Sequence, residues 1–203
     1  MRVVVPFDAA APKTRLSGVL DSDERDDFAR VMLDDVLGAV REAGHTPEVL
    51  STEPLDFGPV RVDERPLSEA VNAVLAERGG EQTAVVMADL ALVTAETVER
   101  LVNTEGDVVI APGRGGGTNA LLVRHPEFET DYHGVSCRDH RRIARNIGAD
   151  VRECDSFRLA TDVDEPADLV ELLLHGEGES AGWLRERGFE LDAGDGRVGV
   201  RRD

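Results

Sequence analysis

Two basic side chains, Lys13 and Arg15, lie in segment 6–16, directly after the first predicted strand. In open α/β sheets, ligands bind beyond the carboxyl ends of the strands. Cationic side chains and backbone amides there neutralise phosphate charge, so this segment, which begins at Pro6, is a candidate triphosphate site. Lys13 is the sole lysine among 23 basic residues. The alternative is a solvent-exposed loop with two unrelated cations, and the Gly-x-x-x-x-Gly-Lys motif is absent.

Three aspartates are candidate ligands for a divalent cation. Asp89 follows the apolar segment 84–87, while Asp162 and Asp164 are two positions apart and would face one side of an extended segment. Carboxylate oxygens suit Mg²⁺, and two like charges held close together are stabilised by a cation between them. Each aspartate also has an ordinary explanation. Asp89 and Asp164 could cap a turn or helix, and Asp162 could be solvated.

Small and polar residues further along the chain are candidates for binding an anion. Glycines 115–117 would let the backbone approach an anion closely, and Thr118 and Asn119 would add directional hydrogen bonds. Gly134 precedes Ser136, which we expect to cap a helix whose N-terminus attracts phosphate. For the glycine segment, a flexible hairpin turn is the alternative.

Two histidines, His133 and His140, flank Ser136. Phosphoryl transfer rarely needs a protein base when the nucleophile is already a phosphate. We therefore expect both histidines to be structural or to bind substrate, and not to act as a general base.

The elements that must position these residues alternate between strand and helix. This alternation favours an α/β sheet covered on both faces. Predicted strands lie at 2–6, 49–50, 84–87, 108–111 and 119–123, with short ones at Val151 and Leu159. Predicted helices begin at Asp21 or Ser22, at Pro66, after Thr94, near Ser136 and at Glu165, with Asp168 an ordinary residue of the last one.

The chain divides into a main domain and a C-terminal segment. We assign residues 1–175 to one α/β domain and residues 176–203 to a linker, a short helix and a hairpin. The hairpin is predicted around Ala193-Gly194-Asp195-Gly196. We expect this segment to form a sheet edge or a homodimer element.

The charge balance is strongly acidic, since 41 acidic and 23 basic residues give a net charge of −18. Such a surface repels itself at low salt, and molar salt shortens the screening length to roughly 3 Å. We therefore expect a halophilic protein. We expect neither nucleic acids nor anionic membranes as partners, because a protein binds them through positive charge on its surface. Two cysteines without metal-ligand spacing, and no leader-like segment, favour the cytoplasm.

Five of these segments, taken in order, resemble the 2-phospho-L-lactate guanylyltransferase family of coenzyme F420 biosynthesis. They are Lys13 to Leu16, Asp89 to Leu92, Gly116 to Asn119, Ser136 to His140 and Asp162 to Leu169. The resemblance covers residues 3–174. It implies a three-layer α/β sandwich with a mixed, mostly parallel sheet, which is the glycosyltransferase-A-like nucleotidyltransferase fold.

The resemblance also implies a reaction. GTP and 2-phospho-L-lactate, or phosphoenolpyruvate in its place, would give a guanylylated diphosphate and pyrophosphate. Residues with a catalytic role would be Lys13, Arg15 and Asp89, and the nucleotide would also contact Pro6. Mg²⁺ would be held by Asp89, Asp162 and Asp164. The small acid would be bound by Thr118, Asn119, Gly134 and Ser136.

The sequence departs from the family pattern in the first loop and in the aspartate turn. Asp8 lies near a position where the family often has a lysine, and Ala91 replaces a proline. The rival interpretations are a molybdenum-cofactor or sugar-phosphate nucleotidyltransferase and a non-catalytic nucleotide-binding protein. A purely structural acidic domain is a third. The molybdenum-cofactor and sugar-phosphate enzymes usually have the motif Gly-x-Gly-x-Arg-Met in their first loop. In this chain, segment 9–12 of that loop has no glycine, which disfavours them.

Overall fold

The computed structural model describes residues 1–10, 12–55, 59–194, 196 and 198–202. Within these residues the strands are β1 (Arg2–Phe7), β2 (Thr46–Ser51), β3 (Val60–Val62), β4 (Thr83–Val86), β5 (Val108–Pro112), β6 (Thr118–Val123), β7 (Val151–Glu153), β8 (Phe189–Asp192) and β9 (Gly199–Arg202). The helices are α1 (Ser22–Glu42), α2 (Leu67–Glu77), α3 (Ala95–Asn103), α4 (Ser136–Asn146), α5 (Phe157–Ala160), α6 (Asp168–His175) and α7 (Glu179–Glu186). A 3₁₀ turn covers Thr14–Leu16.

The central sheet has seven strands in the order β3-β2-β1-β4-β6-β5-β7. Strand β6 runs antiparallel to both neighbours, and the other pairings are parallel. The sheet is therefore mixed and mostly parallel, as the sequence predicts. Because β6 is reversed, its first residue, Thr118, lies at the edge of the sheet where the neighbouring strands end.

Alternation along β1 divides the core between the two faces of the sheet. Val3 and Val5 pack with α1 and α3, whereas Val4 packs with α2 and α4 on the opposite face. All three valines are fully buried. Helices thus cover both faces, and the predicted three-layer sandwich is confirmed.

Local capping signals locate two of the helices correctly. Asp21 and Glu24 form a reciprocal capping box at the start of α1, and Thr94 caps α3. Two other predictions are wrong. Leu159 lies in helix α5 and not in a strand, because Ser156 caps that short turn. The helix predicted from Glu165 begins only at Asp168.

The C-terminal segment packs against α1. Trp183 of α7 lies 5.0 Å from Phe28, ring centre to ring centre, and its indole Nε1 donates to Asp27 at 2.7 Å. Arg202 of β9 pairs with Glu24 near the start of α1. The segment is thus joined to the main body by both apolar packing and charge.

Strands β8 and β9 form the predicted hairpin as a separate two-stranded sheet. Asp195 in the predicted turn, together with Arg197, lies outside the described residues. Among the described residues, no helix combines the length and the apolar composition required to cross a membrane.

Candidate active site

The loop after β1 places Lys13 at the carboxyl edge of the sheet. Leu16, fully buried, anchors the loop, and its backbone N–H donates to the Lys13 carbonyl at 2.9 Å. Lys13 itself has φ 56° and ψ 39°, and of the described residues it is the one non-glycine with positive φ. Such a backbone costs on the order of 1–3 kcal/mol and persists where its surroundings stabilise it. The strained position therefore marks Lys13 as a functional candidate.

The stabilising contacts of Lys13 are two carboxylates. Its Nζ lies 2.7 Å from Asp89 Oδ2 and 3.6 Å from Asp164 Oδ1. The Lys13 side chain is only 10% exposed, whereas the aspartates are about one third exposed. Arg15 Nη1 also pairs with Asp164, from an exposed position at the rim. Two predicted basic residues and two predicted carboxylates are therefore brought together in one cluster.

The third predicted carboxylate, Asp162, lies beside this cluster. The Val163 backbone N–H donates to the Asp89 carbonyl at 3.1 Å, which joins the two aspartate loops. Asn119 Nδ2 donates to Asp162 Oδ1 at 3.1 Å. The pKa of Asp162 is raised, mainly by burial and further by the negative charge of Asp89. The hydrogen bond from Asn119 opposes this shift. The carboxylates of Asp89 and Asp162 therefore influence each other electrostatically.

Asp168 has a role that sequence reasoning missed. Its Oδ2 accepts the backbone N–H groups of Asp164 at 3.1 Å and Glu165 at 2.8 Å. It therefore fixes the backbone that carries Asp164 while also serving as the first residue of α6. The sequence signal for this role is the spacing of four residues between Asp164 and Asp168, which is typical of a side chain that caps the preceding turn.

The three predicted metal ligands, Asp89, Asp162 and Asp164, all have other partners. Lys13 and Arg15 bind Asp89 and Asp164, and Asn119 binds Asp162. In the described part of the chain, no three His, Cys, Asp or Glu side chains form a group that could hold a metal ion. The donor chemistry nevertheless fits, because the charge of Asp89 already disfavours ionised Asp162 and a cation would relieve that repulsion.

A second cluster forms around Thr118 at the start of β6. Ser136 Oγ donates to Thr118 Oγ1 at 3.3 Å, and His140 Nδ1 lies 2.8 Å from the same oxygen. Gly116 has φ 91°, and a Cβ added there would lie 3.6 Å from the Gly134 carbonyl oxygen. Thr118, Gly134 and Ser136, which were predicted to bind the acid, are therefore neighbours.

The prediction that Ser136 caps α4 is wrong. Val135 occupies the cap position without a side-chain hydrogen bond, and Ser136 is the first helical residue. Its hydroxyl is directed to Thr118, while the Cys137 backbone N–H donates to the Gly116 carbonyl at 3.2 Å. The start of α4 is therefore tied to the glycine loop, and Ser136 connects the helix to β6.

Asn119 was predicted to bind the acid together with Thr118, but the strand separates them. Successive residues of a strand face opposite sides. The Asn119 amide donates to Asp162 and to the Leu159 carbonyl at 3.0 Å, on the side of the aspartates. A Cβ added to Gly113 would lie 2.4 Å from the Asn119 side chain, so glycine is required for this packing.

The two histidines differ in environment. His140 is fully buried, and desolvation lowers its pKa to about 4. His133 is exposed, and its Nε2 lies 3.0 Å from Asp139 Oδ2. Neither histidine touches the Lys13 and aspartate cluster in the contacts of the described residues, and the expectation that neither acts as a general base stays a prediction.

A cavity of about 480 Å³ opens beside the charged cluster. Lys13, Asp89 and the predicted nucleotide contact Pro6 line it. Its inner wall is apolar and is formed by Ala29, Met32, Leu50, Ala70 and Met87. The cavity therefore combines an apolar recess with a charged mouth.

Asp63 and Arg65 also line the cavity, and sequence reasoning did not identify them. Arg65 donates to Asp63 through its backbone N–H and its guanidinium, and this lowers the pKa of Asp63 to about 2. Both residues follow β3, a strand of three residues that the sequence pattern did not predict. The missing strand explains why they were overlooked.

Solved structures share this fold. A nucleotidyl transferase from Methanothermobacter aligns with a TM-score of 0.62 at 15% identity, covering 92% of this chain and 99% of that chain. A protein from Desulfovibrio desulfuricans, provisionally assigned as a nucleotide-diphospho-sugar transferase, aligns with a TM-score of 0.73 at 16% identity over 92% and 94% of the two chains. These likenesses show that the chain has the fold of the nucleotidyltransferases.

The family follows from sequence comparison. The chain belongs to the CofC-like guanylyl transferases, whose family model matches residues 1–202. It is 62% identical over 203 residues to a 2-phospho-L-lactate guanylyltransferase from Halomicrobium mukohataei, with 100% of both chains covered. It is 46% identical over 202 residues to the enzyme of the same name from Methanoregula boonei, covering 98% and 94% of the chains. The family resemblance predicted from the sequence is confirmed, and the rival interpretations are not favoured.

Proposed function

We propose that this protein transfers GMP from GTP to the phosphate of 2-phospho-L-lactate. An oxygen of the substrate phosphate attacks the α-phosphorus of GTP, the bond from that phosphorus to the bridging oxygen breaks, and pyrophosphate leaves. The observation that carries the proposal is the meeting of Lys13 with Asp89 and Asp164 at the mouth of the cavity. The names of the relatives support the choice of GTP and of the acid.

The charged cluster is suited to the triphosphate. Lys13 and Arg15 provide positive charge for the phosphates and for the departing pyrophosphate, which accumulates charge as it leaves. Both cations form ion pairs with carboxylates in the structure, so they are already positioned to bind the anionic oxygens of a triphosphate. The apolar recess beyond Pro6 suits a purine base and ribose.

The required cation is proposed to be Mg²⁺, with Asp89, Asp162 and Asp164 as its ligands. Bound there, it would stabilise the charge of the reacting and leaving oxygens. The chain's own contribution is to bring the carboxylates to two joined loops, with Asn119 orienting Asp162 and Asp168 fixing the backbone of Asp164. Lys13 would have to exchange its carboxylate partners for phosphate oxygens.

The small acid is proposed to bind between the charged cluster and the second cluster. Thr118 and Ser136 provide hydroxyl groups, and Gly134 leaves space for close approach. Phosphoenolpyruvate has the same phosphate and carboxylate groups and is the second candidate acid.

A substrate matrix tests the function. The protein in high salt with Mg²⁺ is incubated with each of the four nucleoside triphosphates, paired with 2-phospho-L-lactate, phosphoenolpyruvate or no acid, and pyrophosphate is measured. We expect release only with GTP and an acid. GTP binding without pyrophosphate release from any pair would instead identify a non-catalytic nucleotide-binding protein.

We further propose that the protein is halophilic, because its net charge of −18 favours unfolding when screening is weak. Unfolding free energy measured in 0.1 M KCl should be clearly lower than that in about 3 M KCl, where the screening length is below roughly 3 Å. Equal stability in both solutions would contradict the proposal.

A cytoplasmic location and a homodimer complete the proposed assignment. The two cysteines, Cys137 and Cys154, are both buried and free, as is typical of a reducing compartment. Analytical ultracentrifugation in high salt tests the homodimer, and a species at the single-chain mass of 22.0 kDa would reject it.

A further inference from the structure

The side chain of His140 can exist in only one neutral form in its observed contacts. Its Nε2 lies 2.9 Å from the Asp131 backbone nitrogen, and a backbone N–H can only donate. Nε2 must therefore be the unprotonated nitrogen. The lowered pKa keeps the ring neutral near pH 7, so the remaining proton is on Nδ1.

This tautomer determines the hydrogen bonding of Thr118. His140 Nδ1–H must donate to Thr118 Oγ1 at 2.8 Å, and Ser136 donates to the same oxygen at 3.3 Å. A hydroxyl oxygen has two lone pairs and one proton. Both lone pairs are now used, so the Thr118 hydroxyl can only donate, and among the described residues no contact provides an acceptor for its proton.

The imidazole is held firmly in this orientation. Tyr132 and Phe128 contact the ring edge-on, with centroids 4.9 Å and 6.0 Å away. The segment that carries Asp131 is anchored to α2, because Asn72 exchanges hydrogen bonds with Thr130. A rotation of the ring would break its contact with Asp131 and Thr118 together.

We propose that His140 is a positioning residue that makes the Thr118 hydroxyl a dedicated hydrogen-bond donor for an anionic oxygen of the small acid. Phosphate and carboxylate oxygens accept hydrogen bonds and cannot donate when ionised, so a donor-only hydroxyl matches them. His140 acts through Thr118 and does not touch the reacting atoms. The inference rests on the proposed function, since it assigns Thr118 to the acid site.

Two amide variants separate the functions of the ring nitrogens. His140→Asn keeps an N–H donor near the position of Nδ1, whereas His140→Gln keeps an acceptor near Nε2 and removes the donor to Thr118. We expect His140→Gln to raise KM for the acid by about 10- to 100-fold, the range for a hydrogen bond to a charged group, with little change in KM for GTP. His140→Asn should recover most of the affinity for the acid. His45→Gln, on the opposite edge of the sheet, is the matched control.

A double-mutant cycle with Thr118→Val tests whether the effect passes through Thr118. If it does, His140→Gln adds little to the KM for the acid once Thr118→Val is present. Additive effects, equal losses for both substrates, or a His140→Asn variant as poor as His140→Gln would each overturn the proposal. Competitive inhibition by inorganic phosphate and by lactate, measured in wild type and His140→Gln, identifies which anionic group meets Thr118.

Nitrogen-15 NMR of the imidazole separates failure of this inference from failure of the proposed function. A proton on Nε2 of His140 would overturn the tautomer argument whether or not the protein is active. A proton on Nδ1 with no pyrophosphate release from wild type would leave the hydrogen-bond arrangement in place. That result would remove the enzymatic function and, with it, the assignment of Thr118 to the acid.

Discussion

The two halves of the candidate site are built in opposite ways. The half at Lys13 consists of full charges that neutralise one another, with Asp89 and Asp164 partly exposed. The half at Thr118 consists of neutral groups joined by hydrogen bonds, and Thr118, Ser136 and His140 are all buried. One half contains ionic contacts that a substrate can replace, while the other contains contacts that stay in place.

The difference teaches how each substrate is recognised. The exposed Arg15 contact is worth about 1 kcal/mol or less, and the carboxylates of Asp89 and Asp164 remain about one third exposed, so an arriving cation and triphosphate can replace these contacts. Buried hydrogen bonds are costly to break, because each unsatisfied group loses about 1–3 kcal/mol. We therefore expect the charged half to rearrange during turnover and the neutral half to be preorganised.

The largest expected effect comes from Asp89→Asn in the charged half. The variant loses one carboxylate ligand and the partner of Lys13, so we expect turnover to fall on the order of 10³-fold, equivalent to about 4 kcal/mol. Pyrophosphate release at saturating substrates measures it. Asp26→Asn, an exposed residue of α1, is the control and should retain wild-type turnover. An Asp89→Asn enzyme with more than a tenth of wild-type activity would remove Asp89 from the metal site.

The neutral half should make the unfolding free energy of the protein depend on pH. The pKa of His140 is lowered by burial from 6.5 to about 4, so between these pH values the unfolded chain binds a proton that the folded chain does not. The resulting stability is complete above pH 6.5 and is lost as the pH falls towards 4, by about 3 kcal/mol in total. Denaturant unfolding at several pH values measures this loss.

Neighbouring charged groups also act on His140, so the comparison requires a variant. Asp131, His133 and Asp139 act electrostatically on His140, and they remain in His140→Asn. The pH dependence of that variant should be shallower than that of wild type between pH 6.5 and 4. Identical slopes would show that His140 is not the group responsible.

The next effect concerns Lys13. Lys13→Met removes the ammonium from the triphosphate site, and we expect kcat/KM for GTP to fall about 100-fold, or ~2.7 kcal/mol. Binding of Mn²⁺ without nucleotide, followed by electron paramagnetic resonance, should become tighter because no ammonium competes for Asp89 and Asp164.

Two further variants make this prediction specific. Lys13→Arg should not restore activity, since a planar guanidinium does not replace a compact ammonium in this position. Arg30→Met removes an exposed positive charge of α1 and should leave both measurements unchanged. Weaker Mn²⁺ binding by Lys13→Met would contradict the idea that Lys13 occupies the cation position.

The smallest expected effect lies far from both halves. Glu24→Gln weakens the pairing of α1 with Arg202, which lowers the pKa of Glu24 to about 2. Because the pair is close to solvent, the loss of unfolding free energy should be below about 1 kcal/mol, and turnover should not change. Glu42→Gln serves as the exposed control, and a loss of activity in Glu24→Gln alone would indicate that the C-terminal hairpin affects the site.

Much of the fold followed from local sequence patterns. The valines of β1 and the caps at Asp21 and Thr94 were predictable because each depends on residues close in the chain. Strand β3 was missed because its three residues have no clear alternation and are fixed by pairing with β2. The start of α6 was misplaced because a side chain, Asp168, and not helical geometry, satisfies the backbone before it.

The site was predictable in its residue types but not in its pairings. Lys13, Asp89 and Asp164 were each candidates, yet their contacts join positions 76 or more residues apart in the chain. Asn119 was grouped with Thr118 because they are adjacent in sequence, whereas the pleat of β6 turns one to each face. Such partners are set by the tertiary structure and carry no local signal.

The reversed strand β6 has a consequence for the range of substrates that this scaffold can accept. A loop of five residues, 113–117, connects the end of β5 to Thr118, and its Gly116 carbonyl accepts a hydrogen bond from the Cys137 backbone N–H. In the proposed arrangement, its length sets the separation between the acid and the triphosphate. Gly113 packs on Asn119, the partner of Asp162, so it must stay in place. A change of loop length after Gly113 would alter the space for the acceptor, and new acceptor specificities could evolve or be engineered at this one connection.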